Sequence, residues 1–210
     1  MWIKICGMTT PEAVVAALEA GVDAVGFVFT ASPRRLTPAA AAELARPARG
    51  RVRCIAVTRH PDAGLIAEIL ASFRPDVLQS DLEDLARLAL PAQLERLPVL
   101  RAGAALPQVL PARALYEGAA SGSGVTCDWS EARRLARRIE LVLAGGLSAA
   151  NVGEAIESVR PFGVDVSSGV EARPGLKSPQ KIEQFATAAR AAFAALGAAG
   201  ASAGNLQESR

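Results

Sequence analysis

The sequence predicts a single-domain α/β protein folded as a closed (β/α)8 barrel. Apolar, strand-like runs alternate with helix-like runs along the chain, and eight such units fit within its 210 residues. Glycines follow the last two strands, where barrels of this class often bind phosphate. The alternative is a doubly wound open sheet, which typically carries its glycine-rich loop after the first strand. The position of the glycines therefore favours the barrel.

Each predicted strand is a short apolar run, and the helix after it shows helical spacing with start or stop signals. Thr10-Pro11 and Thr37-Pro38 each combine an N-cap with a first-position proline, and Gly21 ends the first helix. The predicted strands are 2–6, 23–29, 52–58, 75–79, 98–101, 113–117, 141–144 and 163–167. The predicted helices are 11–20, one starting at 37, 62–73, 81–90, 130–138, 148–159 and 178–195.

Two stretches break the alternation. Residues 102–112 contain two prolines, so we expect helix five to be reduced or absent. Residues 197–210 are rich in Ala, Gly and Ser without an apolar face, which predicts a flexible C-terminal tail. The barrel is therefore expected to occupy residues 1–196.

Composition excludes several classes of function. The net charge of +2 gives no electrostatic reason to bind nucleic acid, and no apolar run is long enough to span a membrane. The three cysteines lack metal-ligand spacing and there is only one histidine, so we expect no metal site and a reduced, cytoplasmic protein. No apolar helix stripe is left over once the barrel is assembled, which predicts a monomer.

The first strand carries the most informative side chains. Strand alternation puts Lys4 and Cys6 on one face, at the strand's C-terminal end, where a barrel of this class builds its active site. A lone cysteine is otherwise a small buried hydrophobe. Asp165 points into the barrel from strand eight, next to strand one, so Lys4 is its expected partner.

A thiol and a carboxyl can face each other across the mouth of the predicted barrel. Glu117 ends strand six and, like Cys6, lies at the rim, so the two can act as acid and base. Asp128 is a competing acid, interpreted as an N-terminal helix residue. Cys54 is expected to pack in the core, and His60 is a weaker candidate for ligand contact.

Two further groups predict an anionic ligand. Gly145-Gly146 and Ser168-Gly169 follow neighbouring strands, where their free amides can hold a phosphate monoester. Arg34 and Arg35 lie on the loop after strand two and fit either a solvated basic loop or a carboxylate clamp.

Taken together, these motifs resemble the phosphoribosylanthranilate isomerases of tryptophan biosynthesis. The matching segments run in order from the first strand to the last helix. They are Lys4-Ile5-Cys6-Gly7-Met8-Thr9, Gly26-Phe27-Val28-Phe29 with Ser32-Pro33-Arg34-Arg35, Gly122-Ser123-Gly124 with Asp128-Trp129, Leu143-Ala144-Gly145-Gly146-Leu147 with Asn151, and Val164-Asp165-Val166-Ser167-Ser168-Gly169-Val170-Glu171 with Pro174-Gly175 and Lys177.

The resemblance implies an Amadori rearrangement of N-(5-phosphoribosyl)anthranilate that uses no cofactor. By resemblance, Cys6 is the general base and the strand-six carboxylate the general acid. Arg35 holds the anthranilate carboxylate and the glycine loops hold the phosphate. Lys4, Gln79 and Asp165 complete the expected substrate-binding set.

The chain departs from the family pattern at two places. Glu117 stands where the family usually has aspartate, and one extra methylene moves the carboxyl by roughly one C–C bond. The family's Gln-Leu-His-Gly after strand four reads Gln79-Ser80-Asp81-Leu82, without the histidine. Two alternatives remain open here: another cofactor-free phosphosugar barrel enzyme, and a phosphate-binding barrel with impaired activity.

Overall fold

Eight parallel strands close into a barrel in the computed structural model, which describes residues 1–118 and 129–205. Each strand pairs with the next along the chain, and β8 pairs back with β1. The barrel strands are β1 (Ile3–Cys6), β2 (Ala24–Val28), β3 (Arg53–Val57), β4 (Val77–Asp81), β5 (Glu95–Arg101), β6 (Arg113–Glu117), β7 (Glu140–Leu143) and β8 (Gly163–Val166). The predicted fold class is confirmed, and the open sheet is excluded.

The helices of the described chain lie outside this barrel. They are α1 (Pro11–Glu19), α2 (Pro38–Ala45), α3 (Ala63–Glu68), α4 (Leu82–Arg87), α5 (Trp129–Ala136), α6 (Val152–Val159) and α7 (Pro179–Asn205). Thr10 and Thr37 cap α1 and α2 through their side-chain oxygens, as the Thr-Pro pairs predict. A π-helical turn, Ile69–Phe73, continues α3. No helix in the described residues is long and apolar enough to cross a membrane.

The connection between β5 and β6 contains no helix among the described residues, so the expectation for helix five is confirmed. β5 begins at Glu95, three residues earlier than predicted, because Glu95 and Arg96 pair with Val77 and Leu78 of β4. Proline does not exclude residue 98 from this strand, although it removes one backbone donor.

Two expectations about the C-terminal part of the chain were wrong. The last helix was expected to end near residue 195, but α7 continues to Asn205. Alanine, the strongest helix former, dominates that stretch and outweighs its glycines. The flexibility predicted for residues 197–210 stays a prediction, and 206–210 lie outside the described residues. The segment after β8 was interpreted as a loop, but a 3-10 turn, Ser168–Val170, leads into a small antiparallel hairpin, β9 (Glu171–Arg173) and β10 (Leu176–Lys177).

Alternation along each strand divides the apolar side chains into two cores. The inner core fills the barrel and includes Ala24, Ile55, Val77, Leu97, Leu115 and Val142. The outer core packs between barrel and helices and includes Ile3, Ile5, Val25, Phe27, Cys54, Leu78 and Tyr116. Residues that alternate with the outer set therefore face inward, which places Lys4, Cys6, Gln79 and Glu117 inside the barrel.

Candidate active site

Loops from three strands meet at the carboxyl end of the barrel. The Thr9 hydroxyl donates to the Gly175 carbonyl at 2.6 Å, joining the β1 loop to the β9–β10 hairpin. A Cβ built on Gly175, whose φ is +82°, would lie 2.6 Å from the Pro33 carbonyl oxygen. The hairpin thus packs directly on the β2 loop, and only glycine fits there.

Cys6 and Lys4 lie side by side on the inward face of β1. A Cβ on Gly26 of the neighbouring strand would fall 3.0 Å from Cys6 Sγ and 3.1 Å from Lys4 Cε, so this glycine makes room for both side chains. Lys4 is fully buried, and its Nζ donates to Asp165 Oδ1 at 2.8 Å. The predicted Lys4–Asp165 pair is present, with the two residues directly in register across β1 and β8.

The electrostatics of this trio centre on the thiol. Burial raises the pKa of Cys6, while Lys4 and, more weakly, Lys177 act in the opposite direction. Burial is the largest of these effects, so the pKa of Cys6 is raised overall. Burial also works against the charged form of Lys4, but Asp165 and Cys6 outweigh it and raise the pKa of Lys4. A fixed ammonium therefore stands beside the thiol.

Glu117 reaches the rim within a row of alternating charges. Its Oε1 accepts a hydrogen bond from Arg101 Nη1 at 2.7 Å, and Arg101 Nη2 donates to Asp81 Oδ1 at 2.6 Å. Arg59 lies at 3.5 Å on the far side of Asp81. The Arg101, Asp81 and Glu117 side chains are each about 15–16% exposed, so the row is largely shielded from water. Glu117 and Arg101 also make further contacts.

The two glycine loops touch each other. A Cβ on Gly169 would lie only 1.9 Å from the Leu147 carbonyl oxygen, so the loops after β7 and β8 are in backbone contact. Gly145 and Gly146 have φ of +91° and +66°, a region that favours glycine. The amides of Gly145, Gly146, Ser168 and Gly169 donate no hydrogen bond to any residue that the structure describes. They are available to an anion.

The two arginines of the β2 loop have different surroundings. Arg34 forms a two-pronged pair with Glu171, at 2.6 Å and 2.9 Å, and Glu171 also accepts from Lys177 Nζ at 3.0 Å. Burial opposes ionisation of Glu171, but these two cations prevail and lower its pKa. Arg35 is exposed, and its guanidinium has no ion pair within the described residues. Arg35 is therefore the arginine that a ligand carboxylate can use.

Gln79 is a buried polar side chain on the inward face of β4. It is only 5% exposed, and its Oε1 accepts no hydrogen bond from the described residues. A buried acceptor without a donor is costly. A ligand hydroxyl at the barrel mouth would satisfy it.

Ligand atoms of His60, Asp81 and Asp84 lie within 4.8 Å of one another and so resemble a metal site. Their carboxylates are already occupied. Asp84 accepts from the His60 amide, the Ser80 hydroxyl and Arg87, and Asp81 binds Arg101 and Arg59. Surrounding arginines disfavour a cation, so we assign no metal to this cluster.

Sequence reasoning missed several residues of this site. Arg101, Asp81 and Glu171 were not candidates, although an arginine at the C-terminal end of β5 was a usable signal. Cys54 is fully buried in the outer core as expected, and burial raises its pKa to about 11. Asp128, the competing acid, lies outside the described residues, as does the segment Gly122-Ser123-Gly124.

We compared the chain with known protein families and found one that matches most of its length. Residues 3–188 match the family model PRAI, N-(5'phosphoribosyl)anthranilate (PRA) isomerase. An N-(5'-phosphoribosyl)anthranilate isomerase of Chelativorans sp. is 40% identical over 90% of this chain and 96% of the relative. One of Bradyrhizobium sp. strain BTAi1 is 41% identical over 90% of this chain and 95% of the relative.

Solved structures give the same result. TrpF from Jonesia denitrificans superposes with a TM-score of 0.78 at 32% identity, covering 92% of this chain and 98% of that one. A phosphoribosyl anthranilate isomerase in complex with reduced 1-(o-carboxyphenylamino)-1-deoxyribulose 5-phosphate gives 0.75 at 29% identity, covering 91% and 99%. A further neighbour is described as monomers made from a dimeric isomerase of Thermotoga maritima, with a TM-score of 0.74, 29% identity, and coverage of 91% and 99%.

Proposed function

This chain belongs to the N-(5'-phosphoribosyl)anthranilate isomerase family, and we propose that it catalyses the family's aldose–ketose isomerisation with Cys6 as general base and Glu117 as general acid. The reaction is a step of tryptophan biosynthesis. One observation carries the assignment of roles: Cys6 and Glu117 end different strands on the same inward face, and two glycine loops with free amides lie at the same rim.

The chemistry needs one proton donor and one base at carbon. Glu117 gives its proton to the furanose ring oxygen. The C1–O bond breaks with its electron pair on oxygen, and the anthranilate nitrogen forms the C=N bond. The Cys6 thiolate then takes the C2 proton, and the C2–H electrons form C1=C2 as the C=N electrons return to nitrogen. Transfer of the O2 proton and protonation at C1 complete the aminoketose, so no atom is gained or lost.

Burial determines how strongly the Cys6 thiolate acts as a base. A thiol with a raised pKa holds its proton tightly, so its thiolate is a strong base once formed. Lys4 is the fixed positive charge that stabilises that thiolate, and Asp165 holds Lys4 in place at 2.8 Å. We propose that this pair acts through Cys6, since both side chains are buried.

The remaining site residues fit the two anionic ends of the substrate. The free amides of Gly145, Gly146, Ser168 and Gly169 hold the phosphate. Arg35 binds the anthranilate carboxylate, because Arg34 is already committed to Glu171. Gln79 Oε1 accepts from a hydroxyl of the opened sugar.

The decisive experiment is a direct assay. Purified protein is given N-(5-phosphoribosyl)anthranilate, and its consumption is followed by fluorescence, with complementation of a strain lacking the isomerase as an independent readout. We expect turnover and growth. Turnover only of other phosphorylated aminoaldoses in a substrate panel would favour a related enzyme, and binding without any turnover would favour an impaired phosphate-binding barrel. The cytoplasmic location and monomeric state stay predictions.

A further inference from the structure

The two residues that depart from the family pattern both bond the same side chain, that of Arg101. Glu117 stands where the family usually has aspartate, and Asp81 stands where its histidine is missing. Arg101 of β5 donates to both, at 2.7 Å to Glu117 and 2.6 Å to Asp81. β5 lies between β4 and β6 in the barrel, so the three residues end neighbouring strands.

We propose that Arg101 is the positioning residue for the Glu117 carboxyl and that Asp81 is the counter-charge that leaves Glu117 able to carry a proton. This rests on the proposed function, in which Glu117 is the general acid. A guanidinium fork aligned with two carboxyls fixes orientation as well as charge. The two unusual residues then work as one unit, and the longer glutamate reaches the arginine that Asp81 holds.

The sign of each charge matters. An arginine alone beside a carboxyl favours its ionised form, which a proton donor must not adopt before the reaction. Asp81 offsets that effect because it shares the same guanidinium. Arg59 is the only other charged group that the described structure places on this row, and its side chain is 48% exposed and bonds only the far side of Asp81.

Charged groups on the other elements packed against β6 are directed elsewhere. Glu131 of α5 accepts from the Tyr116 hydroxyl, on the outer face of β6. Glu140 of β7 pairs with Arg113, at the opposite end of these strands. In the described part of the chain, Arg101 thus forms an ion pair with Glu117, and Asp81 shares the same guanidinium.

The test is a titration of Glu117 by carboxyl ¹³C NMR in glutamate-labelled protein, assigned with Glu117→Gln, beside steady-state kinetics with N-(5-phosphoribosyl)anthranilate. We expect Asp81→Asn to move the Glu117 midpoint down and Arg101→Gln to move it up, each by roughly one pH unit. Both variants should lose kcat with KM changed much less, because the proton is transferred in the transition state. A purely structural role would not move the midpoint in opposite directions.

Arg96→Gln is the matched control, since Arg96 is an exposed arginine on the other end of β5. It should leave the midpoint and kcat unchanged. If Arg101→Gln does not fold, Arg101→Lys keeps the charge but not the fork, so the midpoint should stay near wild type while kcat falls about tenfold or more. Glu117→Asp should also lose kcat here, because the shorter side chain withdraws from Arg101.

Unmoved midpoints, or shifts of the same sign, would overturn the proposal. Failure of the underlying assignment gives a different result: Glu117→Gln would then retain full activity, whatever Asp81 and Arg101 do. An inactive Glu117→Gln with unmoved midpoints would leave the acid in place and refute only the role of the Arg101–Asp81 pair.

Discussion

Burial and the neighbouring charges shift the pKa of the Cys6 thiol in opposite directions. Burial favours the protonated thiol, and the Lys4 ammonium favours the thiolate. Asp165 belongs to the same trio, because it keeps Lys4 charged and fixed at 2.8 Å. The reactivity of this cysteine is therefore a property of three side chains from β1 and β8.

At this scale we expect Cys6→Ala to lose about 10²–10⁴ in kcat with little change in KM, since the base acts in the transition state. Steady-state kinetics measure this. Cys54→Ala is the matched control, because Cys54 is buried in the outer core, away from the site. Wild-type kcat in Cys6→Ala would refute the base assignment.

A second prediction concerns the effect of the Lys4 ammonium on the pKa of Cys6. Since Lys4 lowers the pKa of Cys6 more than Asp165 raises it, removing both charges should raise that pKa further. Lys4→Met/Asp165→Leu avoids leaving an unpaired buried charge, which alone costs about 3–5 kcal/mol. The rate at which iodoacetamide alkylates Cys6, read by peptide mass spectrometry against pH, should reach its midpoint at a higher pH. A midpoint at lower pH would contradict the role of Lys4.

Single residues also mark the limit of sequence reasoning. Alternation along a strand is local, so the inward direction of Cys6 and Glu117 followed from the sequence. The Arg101–Asp81 and Arg34–Glu171 pairs did not. They join residues separated by 20 and 137 positions, and each depends on how neighbouring strands and loops are placed in three dimensions.

Among the elements, the rim hairpin and the glycine loops do most to shape the site. The eight barrel strands were predictable because each is a separate apolar run. The β9–β10 hairpin was not, since its strands have only three and two residues. Its position is set by Arg34 and Thr9, which come from two other parts of the chain, and Lys177 of β10 pairs with Glu171 of β9 within the hairpin itself.

The contact between the glycine loops gives a prediction about binding. In Gly169→Ala the new Cβ would lie 1.9 Å from the Leu147 backbone oxygen, so the loops must separate and the phosphate amides move. We expect kcat/KM to fall by about a hundredfold, mostly through KM. Gly153→Ala makes the same chemical change on α6, where nothing lies within 4 Å, and should leave kinetics unchanged. Equal kinetics in the two variants would place the phosphate elsewhere.

The contact between the loop after β3 and helix α4 is made by the buried carboxylate of Asp84, which bonds His60. Burial opposes ionisation of Asp84, but bonds from His60, Arg87 and Ser80 outweigh it and lower its pKa. Its stabilisation is therefore present above the unfolded-state pKa and lost as pH falls through the lower folded value. Asp84→Ala should cost about 1–3 kcal/mol at neutral pH in urea unfolding.

Glu83→Ala is the control for that measurement, because Glu83 is exposed on the same helix and should change stability by less than about 0.5 kcal/mol. The difference between wild type and Asp84→Ala should narrow in acid, below the ordinary carboxyl range. A difference that grows as pH falls would contradict the assigned direction of the Asp84 shift.

On the scale of the whole molecule, the main irregularity within residues 1–118 and 129–205 is that no helix connects β5 to β6. The outer face of the barrel there carries a groove between α4 and the proline-containing connection, lined by Leu82, Leu85, Pro98 and Pro111. Leu106 and Val109 of that connection are exposed, the latter at 84%. Isolated exposed apolar residues are normal on a monomer.

The final prediction is the oligomeric state. A stable dimer needs a contiguous interface, of about 800 Å² on each partner. The large apolar side chains exposed in the described chain are Met1, Val15, Leu106 and Val109, and only the last two share a segment. We therefore expect sedimentation velocity at micromolar concentration to give a single species near 21.7 kDa. A dimer would contradict this, and Val109→Asp would then show whether the connection is its interface, because a charge buried there should return the protein to monomer.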